Sequence, residues 1–278
     1  MATVVELTCY PIKGCAGVPV TEALLTEAGL PHDRAFMVVD EDGVCRTQRT
    51  DPRLAVIRPV VGPGGDRLTL SAPGEGELAL DIDTTSARRE VKVFHTPYLG
   101  IDQGEEAAAW FSRVLGAPSR LVRVPPEHDR VTDGWIPGTC GYADSGAVHL
   151  VSRASLDGLN RRITGAGGAA VPMSRFRPGI VIDGWDEPHW EDRVRKVAVG
   201  GAELGFAKLT DRCAVTLVDQ DTGAKAGPEP LRTLAGYRRG DDGGSPFFGC
   251  QFSVTRTGKL AVGDDVAVLE WDGTPPGE

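Results

Sequence analysis

The sequence has no cysteine pair at C-x-x-C spacing. Its six cysteines stand apart at Cys9, Cys15, Cys45, Cys140, Cys213 and Cys250, which argues against a zinc ribbon, an iron–sulfur cluster or a disulfide framework. No apolar run reaches the roughly 18 residues of a membrane span. Strand-like residues begin at Thr3, which leaves no room for a targeting segment. Lysine is scarce beside arginine. The net charge of -9 makes the surface as a whole repel nucleic acid and anionic membranes. With 278 residues, 41% of them hydrophobic, the chain buries a sizeable core unaided. The expectation is a cytoplasmic protein with free thiols, no membrane anchor and no nucleic-acid partner.

The first hundred residues read as strands. "TVVELTCYPI" has strand composition and breaks at Pro11. "AFMVVDEDGVCRTQR" reads as a hairpin on Asp42-Gly43. "LAVIRPVV", "DRLTLSAP", "ELALDID" and "REVKVFH" follow at the spacing of a sandwich or barrel. Then the period changes. Ala107, Trp110, Phe111, Val114 and Leu115 share one helical face, and Gly116 to Pro118 stops that helix. A short run, "RLVRV", follows. The stretch from Glu127 to Gly146 is polar, glycine-rich and aperiodic, which marks a functional loop or an interdomain segment.

Downstream, "AVHLVS" reads as a strand, Ser152 as an N-cap, and Leu156, Leu159 and Ile163 as a helical stripe. "FRPGIVIDG" is a buried strand and "VRKVAVGGAELGFAKL" a hairpin on Gly200-Gly201. "CAVTLVD" is a strand, "EPLRTLAGYRR" a short helix, "KLAVGDDVAVLEW" a closing hairpin and "DGTPPGE" a frayed tail. The expected fold class is mainly β with a few helices (α+β), in two barrel-like lobes.

Several turns place a basic residue beside a strand end. They hold Lys13, Arg34, Arg49, Arg53, Arg175, Arg177 and Arg212. Each alone reads as a solvated or ion-paired residue of little energetic worth. Together, in an acidic chain, they point to a cationic pocket for a polyanion. Cys213 is either a small hydrophobe starting a strand or a thiol that Arg212 draws toward the metal-binding thiolate. His149 reads as a satisfied core residue and Cys15 as structural. Cys140 and Cys250 stand where they could border a site, and Trp135 either caps a pocket or anchors its loop.

"YPIKGCAGVPVTEALLTEAGLPHDRAFMVVDEDG" followed by "TQRTDPRLAVI" resembles the N-terminal β-barrel domain that precedes MOSC domains. "YADSGAVHLVSRASLDGLN", "FRPGIVIDG", "DRCAVTLVDQDTG" and "GKLAVGDDVAVL" resemble the MOSC domain itself, in order, over nearly the whole chain. The likeness extends to the amidoxime-reducing components. It implies an N-terminal β-barrel domain over 1–120 and a MOSC β-barrel domain over 121–272, with a molybdenum–molybdopterin cofactor in the cleft between them.

By that resemblance Cys213 ligates molybdenum, a soft thiolate suited to such a centre. Lys13, Gly14, Arg34, Arg49, Arg177, Gly179, Asp211, Arg212 and Gln251 fall among its cofactor-binding positions, with Asp144, Ser145 and Gly146 on a loop that usually reads D-T-S. Gly146 departs from that loop. Gly179 stands where eukaryotic members have Asn, Asp211 where they have Ser, and Gln251 where they often have Tyr. Asp211 is also the candidate acid beside Cys213. The implied reaction reduces amidoximes, hydroxylamines and N-hydroxylated bases to amidines or amines, consuming two electrons and two protons and releasing water. No flavin or iron–sulfur motif occurs in the chain, so a separate flavin or iron–sulfur protein is expected as electron donor. Sulfur transfer through a Cys213 persulfide, or carriage of the cofactor, are the competing readings.

Overall fold

The computed structural model describes residues 1–240 and 243–273. Seven strands close into a barrel. Ile180–Asp183, Val148–Ser152, Phe247–Arg256, Ala202–Asp211, Val194–Val199 and Asp265–Trp271 follow one another round the ring, and Ala2–Cys9 closes it by pairing with both ends. Closure removes the sheet edges that would otherwise template pairing with another chain. Residues of alternate pleat fill the interior, among them Val4, Leu150, Ile180, Val197, Leu204 and Phe252. Val148–Ser152 and Ile180–Asp183 are parallel, so a crossover must join them. The helix Arg153–Gly165 makes it, with Ser152 Oγ accepting from Ser155 N at 3.1 Å as the N-cap.

The other lobe combines a four-stranded sheet with the meander Arg58–Val61, Arg67–Ala72 and Glu75–Asp81. The helix Glu105–Leu115 lays Ala107, Trp110, Phe111 and Val114 onto Leu54, Phe36 and Leu68, as its periodicity requires. Gly116, at φ 72°, ends it in the left-handed conformation that glycine adopts freely.

Four local expectations fail. "CAVTLVD" is not a strand: the sheet ends at Asp211, and Ala214–Leu217 is a tight 3-10 turn. Thr216 drives this, since its N–H and hydroxyl both donate to the Cys213 carbonyl, at 3.0 and 2.9 Å. "LAVIRPVV" is likewise split, because Pro52 opens a 3-10 turn over Pro52–Val56 and pairing begins only at Arg58. The second arm of the Asp42-Gly43 hairpin is reduced to single bridges at Val44 and Cys45, with the Asp40 carboxylate holding the turn. The closing hairpin does not pair with itself. Gly258–Ala261 joins Glu22–Leu25, while Asp265–Trp271 joins Val194–Val199 and the first strand, because barrel closure takes precedence over the nearest neighbour. The expectation for the tail falls mainly on residues 274–278, outside those described.

Candidate functional site

The first strand belongs to the barrel, so the chain crosses between lobes early and again after the loop at 127–146. A cleft opens at that seam. Its walls include Lys13, Arg34, Arg49 and Phe94 from one lobe and Asp144, Arg177, Arg212 and Cys213 from the other.

Cys213 reaches this cleft because of how its strand ends. The last rung pairs Asp211 with Phe247, and Arg212 N still donates to Pro246 O at 2.8 Å. The chain then turns off the barrel, leaving Cys213 half-buried at the rim. The other five cysteines are buried. Arg49 Nη2 donates to Cys213 Sγ at 3.4 Å from the opposite wall. The Arg49 guanidinium lies 5.0 Å, and Lys13 Nζ 5.4 Å, from the centre of the Phe94 ring.

Six cationic side chains line the cleft, Lys13, Arg34, Arg46, Arg49, Arg177 and Arg212, against the carboxylates of Asp144 and Asp211. Lys13 Nζ donates to Tyr142 O at 2.9 Å and pairs with Asp144. Crowding at the cleft raises the Asp144 carboxyl, but Lys13, with Arg49 and Arg34 behind it, outweighs this and holds it below the ordinary range. Arg34 pairs with Asp33, donates to Arg177 O at 3.3 Å and lies 4.4 Å from the Tyr10 ring centre. Arg177 Nη1 donates to Gln220 Oε1 at 3.1 Å. Burial pushes the Arg177 guanidinium down from its usual value. It pushes Arg212 down to about 10, although Arg212 Nη2 donates to Phe176 O at 2.8 Å.

Buried, incompletely paired guanidinium groups are costly, and an anion in the cleft removes that cost. Four of the nine buried side-chain N or O atoms without a partner among the described residues lie on residues of this cleft: Arg46 Nε, His149 Nε2, Thr210 Oγ1 and Arg212 Nε. Backbone strain gathers there too. Arg34, Phe94 and Arg177 have φ of 49°, 59° and 54°, and they are three of the five non-glycine residues with positive φ among those described. Such strain costs on the order of 1 kcal/mol each and persists where the surroundings enforce it. The residues fit a polyanionic group that also carries hydrogen-bonding functions. No group of three or more His, Cys, Asp or Glu side chains among the described residues could hold a metal, so a metal at Cys213 would depend on ligands that it brings.

Of the positions expected from sequence, Lys13, Gly14, Arg34, Arg49, Asp144, Ser145, Gly146, Arg177, Asp211, Arg212, Cys213 and Gln251 all line the cleft. Gly179 does not. Its N–H donates to His149 O at 2.9 Å and its carbonyl accepts from Thr8 N at 3.0 Å, so it ties two barrel strands together instead. Cys140 and Cys250 are buried away from the cleft, Cys250 against Asp192. Cys15 sits in the core, and burial pushes its thiol up to about 12. Trp135 is 71% exposed, with its backbone N–H bonded to Ala207 O and Arg195 over its ring.

His149 is buried, but its unpartnered Nε2 and its place on the cleft wall make it more than a satisfied core residue. Gln48, Phe94 and Thr210 also line the cleft and carry no sequence signal of their own. The two departures at 146 and 251 are one feature: a Cβ added to Gly146 would lie 2.7 Å from Gln251 Oε1.

Residues 1–118 match the MOSC N-terminal beta barrel domain and residues 137–267 match the MOSC domain. The chain is 36% identical to the human mitochondrial amidoxime-reducing component 1, over 97% of this chain and 83% of that protein. It is 36% identical to the rat mitochondrial amidoxime reducing component 2, over 96% and 83%. It is 31% identical to the molybdenum cofactor sulfurase of Danio rerio, over 86% of this chain but only 31% of that protein.

Proposed function

The chain belongs to the MOSC-domain family that includes the mitochondrial amidoxime-reducing components, and from that premise we propose that it is a molybdenum-cofactor-dependent reductase of N-hydroxylated compounds. The observation that carries this reading is the half-buried Cys213 facing six cations in a protein of net charge -9. Bound there, a molybdenum–pterin cofactor supplies the two-electron chemistry.

The chain's own residues have separable tasks. Cys213 offers the thiolate. Arg49, 3.4 Å from the sulfur, places a positive charge beside it. Lys13, Arg34, Arg177 and Arg212 hold the phosphate and polar edges of the cofactor with charge-assisted hydrogen bonds. Gly14, Ser145 and Gly146 let backbone approach the ligand closely. Asp211, exposed at the end of its strand, is the acid nearest in sequence to Cys213 and the candidate to deliver a proton to the departing oxygen. Amidoximes, hydroxylamines and N-hydroxylated bases are the substrate class. Electrons come from a separate flavin- or iron–sulfur-containing protein, and the free thiols suit a cytoplasmic setting.

The likeness to a cofactor sulfurase supports a second reading, in which Cys213 carries a persulfide. Purification followed by molybdenum and pterin analysis, and then turnover of benzamidoxime with an artificial reductant, separates these two and also carriage of the cofactor. Bound cofactor with turnover supports the reductase. Bound cofactor without turnover supports a carrier, and absence of both cofactor and turnover supports sulfur transfer.

A further inference from the structure

Five consecutive carbonyls in the loop beside Lys13 are each held by a side chain. His128 Nε2 lies 3.2 Å from Cys140 O. Arg130 Nη1 donates to Gly141 O at 3.1 Å and Ala143 O at 2.5 Å, and Arg130 Nη2 donates to Asp144 O at 3.1 Å. Lys13 Nζ takes the remaining one, Tyr142 O, at 2.9 Å. The Arg130 guanidinium is itself seated 5.1 Å from the centre of the Tyr98 ring. Arg130 does not line the cleft, whereas Ala143, Asp144, Ser145 and Gly146 do.

The N–H groups of that loop are treated differently from its carbonyls. Tyr142 N donates to Arg34 O at 2.7 Å, but no N–H from Ala143 to Gly146 donates to any described residue. Arg130 takes the carbonyls of Ala143 and Asp144, so the N–H groups of Asp144 and Ser145, on the opposite side of those planar peptides, point away from it. They have no protein acceptor among the described residues and lie on the wall of a cleft already rich in cations, where an oxyanion can meet them. An unpaired peptide N–H is expensive when no water or ligand meets it. One fixed guanidinium fork spanning three carbonyls is what sets this conformation, and a point charge cannot replace it.

We infer that Arg130 is a positioning residue: by clamping the carbonyls of Ala143 and Asp144 it presets the N–H groups of Asp144 and Ser145, on the far side of the same two peptides, as a cradle to receive a phosphate-like oxyanion. The inference rests on the proposed function only for the identity of that anion, which is then the cofactor's terminal phosphate.

The test uses the full chain, 15N-labelled and produced in a host unable to make the cofactor, titrated with inorganic phosphate. The amide protons of Asp144 and Ser145 are expected to move downfield together. In Arg130→Lys, which keeps the charge but loses the fork, the phosphate dissociation constant is expected to rise about tenfold. Unmoved amides in the wild-type chain overturn the cradle whether or not the variant folds. An Arg130→Lys chain that binds phosphate as tightly as wild type overturns the positioning role. A cofactor-loaded chain separates the two sources of phosphate. Amides already shifted and deaf to added phosphate place the cofactor's phosphate in the cradle, and continued response places a free oxyanion there. Because the first titration needs no cofactor, failure of the chain to bind molybdenum leaves it standing.

Discussion

The side-chain amides of Gln48 and Gln220 are bonded to each other twice, Gln48 Nε2 to Gln220 Oε1 at 3.1 Å and Gln220 Nε2 to Gln48 Oε1 at 2.9 Å. They come from opposite walls of the seam. Gln48 also donates to Gly14 O at 2.6 Å, and Gln220 also accepts from Arg177. This clasp links the Lys13 turn, the Arg177 turn and the segment after Cys213.

Breaking one half of the clasp leaves the other amide short of a partner in a buried place, at a cost of about 1–3 kcal/mol. Gln48→Leu and Gln220→Leu are therefore expected to be non-additive, with a coupling of about 1 kcal/mol. A double-mutant cycle from urea denaturation measures it. Strict additivity would mean that the two amides do not support each other.

Cys213→Ser is expected to abolish turnover of N-hydroxylated substrate while the melting temperature stays within a few degrees of wild type. A hydroxyl is a hard and poorly acidic substitute for a thiolate, and Cys213 packs in no core cluster. Full activity in Cys213→Ser would falsify the assignment of the thiolate.

Arg177 combines a left-handed backbone with a buried charge, and two substitutions separate these. Arg177→Ala and Arg177→Gly both lose the guanidinium, so molybdenum occupancy falls in both, by the roughly 1.5–3 kcal/mol of a charged hydrogen bond. Only the alanine keeps the backbone penalty, so Arg177→Gly should be the more stable by about 1 kcal/mol. Occupancy is read by metal analysis and stability by denaturant midpoint. Undiminished molybdenum in both variants removes Arg177 from the cofactor site.

Gly146→Ser places an atom against the Gln251 amide and is expected to destabilise the chain by about 1–3 kcal/mol, the usual cost of overpacking. Shortening the opposing side chain, in Gly146→Ser with Gln251→Ala, removes the contact with Oε1 at 2.7 Å but keeps the one with Cβ at 3.0 Å, so it should recover part of that loss. Thermal denaturation of the two variants decides it, and a double variant no better than the single one shows that the positions are uncoupled.

Burial holds His189 down at about 3, with Arg238 and Arg162 adding to the effect. The unfolded chain protonates this ring at about 6.5. Below that pH the unfolded state therefore binds the extra proton, so the stability contribution is complete above about 6.5 and is lost as pH falls. The loss is about 1.4 kcal/mol per pH unit. Glu191 and Asp192, whose carboxyls burial raises, run in the opposite sense. The informative quantity is thus the difference between wild type and His189→Gln. Urea midpoints at pH 7 and pH 5 should converge for the two proteins as pH falls, and a constant difference sinks the prediction.

Cys213 and five of the six cations of the cleft were legible because each stands in or beside a turn, which leaves a local trace in the sequence. The same trace also marks Arg53 and Arg175, which do not line the cleft, and misses Arg46, which does. Gln48, Thr210 and His149 were not legible, since an amide, a hydroxyl or an imidazole acquires its role from partners brought close only by the fold. The elements show the same division. The helix Glu105–Leu115 follows from its own periodicity. The pairing of Gly258–Ala261 with Glu22–Leu25 spans almost the whole chain, and no nearby residue encodes it. The turn after Cys213 was hidden for a third reason: its apolar alternation is that of a strand, and one Thr216 hydroxyl decides otherwise.

The pairing of Ala2 with Val266 and of Thr3 with Asp265 orders events in time. The first strand of the barrel waits for the last before the ring can shut. Contacts of such long range form slowly, because a large loop must be closed before they stabilise anything. Both walls of the cleft are fixed only after that step. A chain whose strand Asp265–Trp271 has not yet docked thus has an open ring, and a ligand that needs the finished cleft can be held only once that strand is in place.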